Sequence, residues 1–284
     1  MRITLALAGV VLAVVIGGCG ADDDEAGAPV AGADPGLIHV HGLGVNPLDG
    51  ALFAATHNGL FRAAANETPQ RVGDSRQDVM GFTVIGPDRF LASGHPDGRT
   101  DDPPLLGLIE SGDAGKTWNA GVLRGEADFH LLRTSRQTLY AQDSQTGRVF
   151  EGPIGGSSLS VRRSPQGELI DFAVDPEDPQ RLVAATDRGL AQSSDGARSW
   201  KALDRKRTGL LVAPGPSQLV LVDGSGRVQA SDDAGRTWRS VGAIDGPPAA
   251  FHSRDGVLYV AVHDGPVLQS DDGGRTWTTR IPAP

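Results

Sequence analysis

Four segments of this chain share one pattern and nearly one spacing. They read SGDAGKTW at 111–118, SSDGARSW at 193–200, SDDAGRTW at 231–238 and SDDGGRTW at 270–277. All four tryptophans of the chain, Trp118, Trp200, Trp238 and Trp277, end these segments, and they stand 82, 38 and 39 residues apart. The first gap is two periods, so the repeat is roughly 40 residues, the length of a four-stranded propeller blade. Each segment suits a turn between two antiparallel strands. Its Asp (Asp113, Asp195, Asp233 or Asp272) can accept backbone N–H bonds, its Gly can adopt a conformation other residues resist, and its Trp can anchor one blade against another. The second copy has Ala197 in the Gly position, which predicts a strained or altered turn. These residues read as structural staples, not catalysts.

Six repeats can be counted: 37–78, then onward to about 125, 168, 205, 246 and the C-terminus. Blades one and three lack the turn motif. The runs between are rich in Val, Leu and Phe and are punctuated by Gly, Pro and Asp, as strands are. In blade one, strands are expected at 38–45, 51–56 and 59–63. The chain is thus expected to be all-β over 37–284: a six-bladed β-propeller of four-stranded antiparallel blades. Closure into a ring removes the sheet edges that an open stack would expose.

A polar column runs through the same repeat. Six apolar runs stop on His57, His95, Asp143, Asp187, Asp223 and His263. If each run is the second strand of its blade, these residues form a ring on the top face, opposite the Trp-bearing turns. His39 and His41, then Asp128 and His130, Asp171, and His252 are read as openings of the inner strands on that same face. All seven histidines therefore map to one end, on blades six, one, two and three. Asp is an ordinary hairpin residue, so Asp143, Asp187 and Asp223 read first as turn chemistry. His is not a favoured turn residue. Imidazole suits zinc, copper, nickel or iron, and carboxylate can complete such a set. His39, His41, His57, His95 and His263 are the candidate ligands for a transition metal, zinc or copper. His130, His252 and Arg99 extend the candidate ligand-binding face. Arg99 belongs to the irregular segment HPDGRTDDPP at 95–104, and long loops on rigid scaffolds tend to carry function.

The N-terminus bears on location. A positive start (Met1, Arg2), an apolar stretch at 3–16 and the small pair Gly17 and Gly18 precede Cys19. This reads as a secretory signal over 1–18, too short to span a bilayer. Cys19 resembles the lipidated cysteine of the bacterial lipobox, and it is the chain's single cysteine. Residues 19–36 are acidic and rich in Gly, Ala and Pro, which suits a flexible tether. The expected place is the extracytoplasmic face of a bacterial cell membrane, with the lipid as anchor. A net charge of −9 argues against a nucleic-acid partner.

The pattern S-x-D-x-G-x-x-W is that of the Asp-box, or BNR repeat, and the chain resembles the sialidase-like propellers that carry it. These include exo-sialidases and photosystem II stability/assembly factors. It also resembles bacterial lipoproteins labelled glycosyl hydrolases. Those carry a His-x-His-Gly start, here His39 to Gly42, an ATHxGLF segment, here 55–61, and a GHPD loop, here 94–97. The resemblance implies a propeller fold and, through the label, hydrolysis. A sialidase needs an arginine triad, a Tyr nucleophile with a Glu partner, and an acid/base Asp. This chain has LIHVH where the first arginine motif should stand. Its two tyrosines, Tyr140 and Tyr259, fall inside second strands. A carboxylate pair drawn from Asp128, Asp171 and Asp187 is the remaining catalytic candidate. The reading adopted is a membrane-anchored binding or assembly module whose top face takes a metal, small molecule, glycan or protein. The alternative is a glycoside hydrolase with an atypical site.

Overall fold

The structure, a computed structural model, describes residues 36–65 and 67–283. The expected signal segment, Cys19 and the linker up to residue 35 lie outside the described residues. The described chain forms 24 strands in six four-stranded antiparallel sheets, each built from contiguous sequence in simple order. In blade one the strands are Val40–Val45, Leu52–Thr56, Gly59–Ala63 and Gln70–Arg71. The other inner strands are Asp78–Gly86, Phe129–Ser135, Leu169–Val174, Leu210–Val212 and Pro248–Arg254. Each blade begins and ends close to the boundaries the repeat predicts.

Second strands such as LFAAT at 52–56 and LVAAT at 182–186 are buried at every residue. Both faces of each sheet are covered, so the sequence shows unbroken apolar runs and not the alternation of a half-exposed sheet. The core is six separate wedges, one per pair of adjacent blades. Each box Trp enters the wedge between its own blade and the one before. Trp118 joins the Phe53, Leu60 and Phe90 wedge, and Trp200 joins the Tyr140, Val149 and Phe172 wedge. Trp238 and Trp277 do the same one and two blades on. The seams without a Trp are those preceding blades one and three, the two blades that lack the motif.

No strand is exchanged to close the ring. The last strand, Thr278–Ile281, pairs within its own blade. Blade six seals to blade one by apolar packing: Ile281, Val267, Ala261 and Ala250 meet Val40, Leu43, Val45 and Leu52. At the rim of that seam the Arg280 guanidinium donates to Ala64 O at 3.0 Å and Ala63 O at 2.8 Å.

The four Asp-boxes are nearly superimposable in their bonds. Each box serine hydroxyl donates to its Asp Oδ1 at 2.8–2.9 Å. The serine Oγ in turn accepts the N–H of Gly115, Ala197, Gly235 or Gly274 at 2.8–3.0 Å. The carboxylate then takes the amide and hydroxyl of the Thr or Ser four residues on. These bonds hold the Asp113, Asp195 and Asp233 carboxyls down at about 2. Ala197 keeps every one of them, with φ of 59° where the three glycines have 84–88°. The altered residue therefore moves toward the left-handed well that L-residues tolerate, and the turn survives. A Cβ at Gly274 would stand 2.8 Å from Val228 Cγ1, and one at Gly115 would stand 2.4 Å from Leu60 Cδ2. Gly274→Ala is expected to lower stability in chemical denaturation by about 1–3 kcal/mol, from left-handed strain plus overpacking. Ala197→Gly is expected to change it by less than about 1 kcal/mol, because strain relief offsets the lost methyl.

Candidate functional site

Inner strands of all six blades line an axial cavity of about 280 Å³. Its top opens into a mouth of about 420 Å³. The structure divides the polar column at the ends of the second strands by chemistry. The aspartates serve their own blades. Asp143 Oδ1 accepts the Asp128 N–H at 3.0 Å, and its other oxygen takes the Thr146 hydroxyl at 2.5 Å. Asp187 Oδ1 accepts the Glu168 N–H at 2.8 Å. Asp223 accepts bonds from Ser225 and Arg227 in its own turn. Two of the histidines reach to the next blade instead. His57 Nδ1 of blade one lies 2.8 Å from Asp78 Oδ1 of blade two. His95 Nε2 of blade two lies 3.7 Å from Asp128 Oδ2 of blade three.

Two groups of three metal-capable side chains result among the described residues: His41, His57 and Asp78, and His39, His263 and Asp264. In each group the ligand atoms lie within 4.8 Å of one another. The His41 and His57 rings are 4.3 Å apart between centroids, edge to face, and the His39 and His57 rings are 5.3 Å apart. His39 takes a left-handed φ of 48°, uncommon for a residue with a side chain. In the outer group, Asp264 lies 3.5 Å from His39 Nδ1 and 3.1 Å from His263 Nδ1. In the inner group, His41 Nε2 is buried without a hydrogen-bond partner. Asp78 Oδ1 is paired with His57 Nδ1 at 2.8 Å. Burial first, then the neighbouring His57, lowers the His41 pKa to about 4, so the ring is neutral near pH 7.

Four of the five proposed metal histidines thus gather in these groups. His95 does not, because its Nδ1 is engaged by Pro104 O at 2.9 Å and its Nε2 faces Asp128. His130 Nε2 is 2.8 Å from Asp128 Oδ2, which also accepts the Ser144 hydroxyl. Burial, the largest single influence, works to raise the Asp128 pKa, but the bond and charge of His130, the Ser144 hydroxyl and the nearby His95 together outweigh it, and the carboxyl lies below its usual range. Arg99 does not reach the ring. Its guanidinium lies on Asp97 and on Asp74 O, and Asp97 also accepts the Arg76 N–H, so the segment after His95 is tied to the stretch that links blades one and two.

His252 departs from the expectation that it opens its strand. It is the fifth residue of Pro248–Arg254, opposite Tyr259, and lies below the rim in the axial cavity. Pro248 to Phe251 already carry the strand, and no turn signal in the sequence marks that earlier start. Asp171 lies deeper as well. It is fully buried and receives Arg133 Nη2 at 2.7 Å, the Leu211 N–H at 2.9 Å and the Phe172 N–H at 2.8 Å. It ties blade four to blades three and five, with its pKa raised by burial against the pull of Arg133.

Asp78, Asp264 and Met80 are the rim residues that the sequence reading passed over. Asp78 had a signal: it stands two residues before Met80 in blade two, as His39 does before His41 in blade one and Asp128 before His130 in blade three.

No family model matches the chain. A sialidase from Bacteroides fragilis (strain YCH46) is 28% identical over 163 residues, covering 54% of this chain and 26% of that protein. The chain therefore spans about a quarter of that relative's length. Among solved structures, YCF48 bound to D1 peptide aligns with a TM-score of 0.54 at 14% identity, over 87% of this chain and 82% of that one. A chain of the nidogen/laminin complex aligns with a TM-score of 0.59 at 15% identity, over 78% and 89%. The GH74 xyloglucanase from Xanthomonas campestris gives 0.53 at 19% identity, over 80% and 37%. In fold the chain is a six-bladed β-propeller with Asp-box turns, and part of it is similar in sequence to a sialidase.

His252 supplies a test of the axial cavity. Its Nε2 is buried without a partner, and burial, then Arg133 and Arg254, lowers its pKa from 6.5 to about 3. The unfolded chain binds the proton more readily, so this group's contribution is whole above pH 6.5 and is lost as pH falls toward 3. Denaturant titrations of His252→Gln against wild type are expected to show a shallower loss of stability across that window. Parallel pH profiles would show that His252 does not carry the effect.

Proposed function

We propose that this protein is a lipid-anchored binding propeller on the extracytoplasmic face of the bacterial membrane, with a top-face site organised by a transition-metal ion. One observation carries the metal: His41 Nε2 is buried without a hydrogen-bond partner, and His41, His57 and Asp78 each offer a ligand atom within 4.8 Å of the others. A buried polar atom left without a partner costs about 1–3 kcal/mol, and native structures keep few. A cation held by His41, His57 and Asp78 would give that nitrogen a partner. Imidazole and carboxylate are donors that zinc and copper accept. The outer group of His39, His263 and Asp264 would widen the charged rim and receive the bound partner.

The binding reading draws support from the neighbours of known shape, one holding a peptide and one taken from a protein complex. Anchoring rests on the sequence from Met1 to Cys19. The hydrolase reading draws on the sialidase match, but the side chains favour it less. The Tyr140 hydroxyl is spent on Pro179 O at 2.8 Å, and burial pushes its pKa up to about 12. Asp171 and Asp187 are committed to backbone amides.

Zinc or copper at about a hundredfold its Kd stabilises by roughly 2.7 kcal/mol, which for a domain of this size means a Tm rise of about 5–10 °C. The rise is expected in wild type and absent in His41→Ala/His57→Ala. An equal rise in both proteins, or none in either, would sink the metal reading. Anchoring is tested separately: Cys19→Ala is expected to move the protein from the membrane fraction to the soluble extracytoplasmic fraction of a bacterial host, and retention in the membrane would overturn it.

A further inference from the structure

Five of the six inner strands carry the same irregularity. In blade one, Val40 pairs with Thr56 and Gly42 with Ala55, which leaves His41 unpaired. Blade two skips Met80, between Val79 and Gly81. Blade three skips His130, blade four Ile170 and blade six Ala249. Each is a β-bulge, and a bulge re-aims the side chain of its extra residue. All five line the mouth of the axial cavity, and Leu210 completes the ring from blade five. The mouth is therefore two halves. Blades four to six present Ile170, Leu210 and Ala249, while blades one to three present His41, Met80 and His130.

We propose that His41, Met80 and His130 form a copper(I) site at the channel mouth. The inference rests on the reading that His41 is a metal ligand, and it names the metal and two further donors. Thioether sulfur is a soft donor that selects copper(I), whereas zinc is content with imidazole and carboxylate. Met80 is the chain's one methionine besides Met1, is half-buried, and belongs to none of the six apolar wedges. The backbone brings the three inner strands that carry these residues close to one another. A Cβ at Gly42 would come 3.0 Å from Phe82 Cβ, and one at Gly81 would come 2.1 Å from Phe129 O. Glycine directly after His41 and after Met80 thus lets three inner strands approach more closely than side chains permit.

The ring nitrogens suit the assignment. His41 Nε2 is unbonded. His130 gives its Nε2–H to Asp128 Oδ2, which leaves Nδ1 for the metal. Asp128, itself held by Ser144, is the supporting carboxylate that metal-bound histidines usually have. The apolar half of the mouth would limit water at the ion.

The test is a titration of the purified protein with copper(I) under reductant, competed by a chromophoric copper(I) chelator, alongside a zinc titration. Met80→Leu conserves volume and is expected to fold like wild type. It is expected to weaken copper(I) by at least the roughly 10–100-fold that even outer-shell changes cost, with zinc affinity unchanged. Copper(I) X-ray absorption of wild type is expected to show a sulfur scatterer that Met80→Leu loses. An unchanged copper(I) affinity in Met80→Leu, or equal losses for both metals, would overturn the proposal. Zinc binding without copper(I) binding would overturn this inference alone, and failure of both metals would remove the broader reading with it.

Discussion

Each sheet in this molecule has two apolar faces and no means of burying either within its own blade. A second strand buried at all five residues, as in 52–56, needs a neighbour on both sides. That requirement propagates from blade to blade until the chain returns to its start. The six wedges are therefore shared property, and no blade has a core of its own. Closure is the decisive contact, because the seam between blades six and one joins residues as distant as Ala63 and Arg280. It is made by apolar packing, the Arg280 guanidinium and the contact of His39 with Asp264.

The wedges leave polar work at their ends. On the lower face, box hydroxyls and carboxylates tie off turns within a blade. On the upper face, Asp143, Asp187 and Asp223 do the same, while His57 and His95 turn outward to carboxylates of the next blade. A face built from within-blade clasps is inert scaffolding. One built from imidazoles and carboxylates that meet across a seam holds lone pairs at close range, and at His41 one of them is unspent. The candidate site sits where the seams of blades six, one, two and three reach the axis.

Much of this was legible beforehand. The Trp spacing gave the blade count, the alternation of apolar runs and turns gave the boundaries, and the strand order put the histidines on one face. Asp143, Asp187 and Asp223 bond within their own blades, as hairpin aspartates do. Asp78, Met80 and Asp264 were harder to see. They repeat by position and not by identity, and a one-residue bulge hides that position from simple counting. His252 was drawn to the rim because its strand begins at Pro248, with no marker in the sequence.

The sequence by itself determined the architecture, since a repeat of this length with a Trp-bearing turn in most copies can satisfy its apolar faces only as a closed ring of blades. Tertiary structure alone decided which polar side chains meet. Ring geometry brings Asp78 of one blade to His57 of another, and five bulges turn one residue each into the channel mouth. Those meetings depend on register and on glycine-permitted strand approach, quantities of a few ångströms that repeat spacing does not encode.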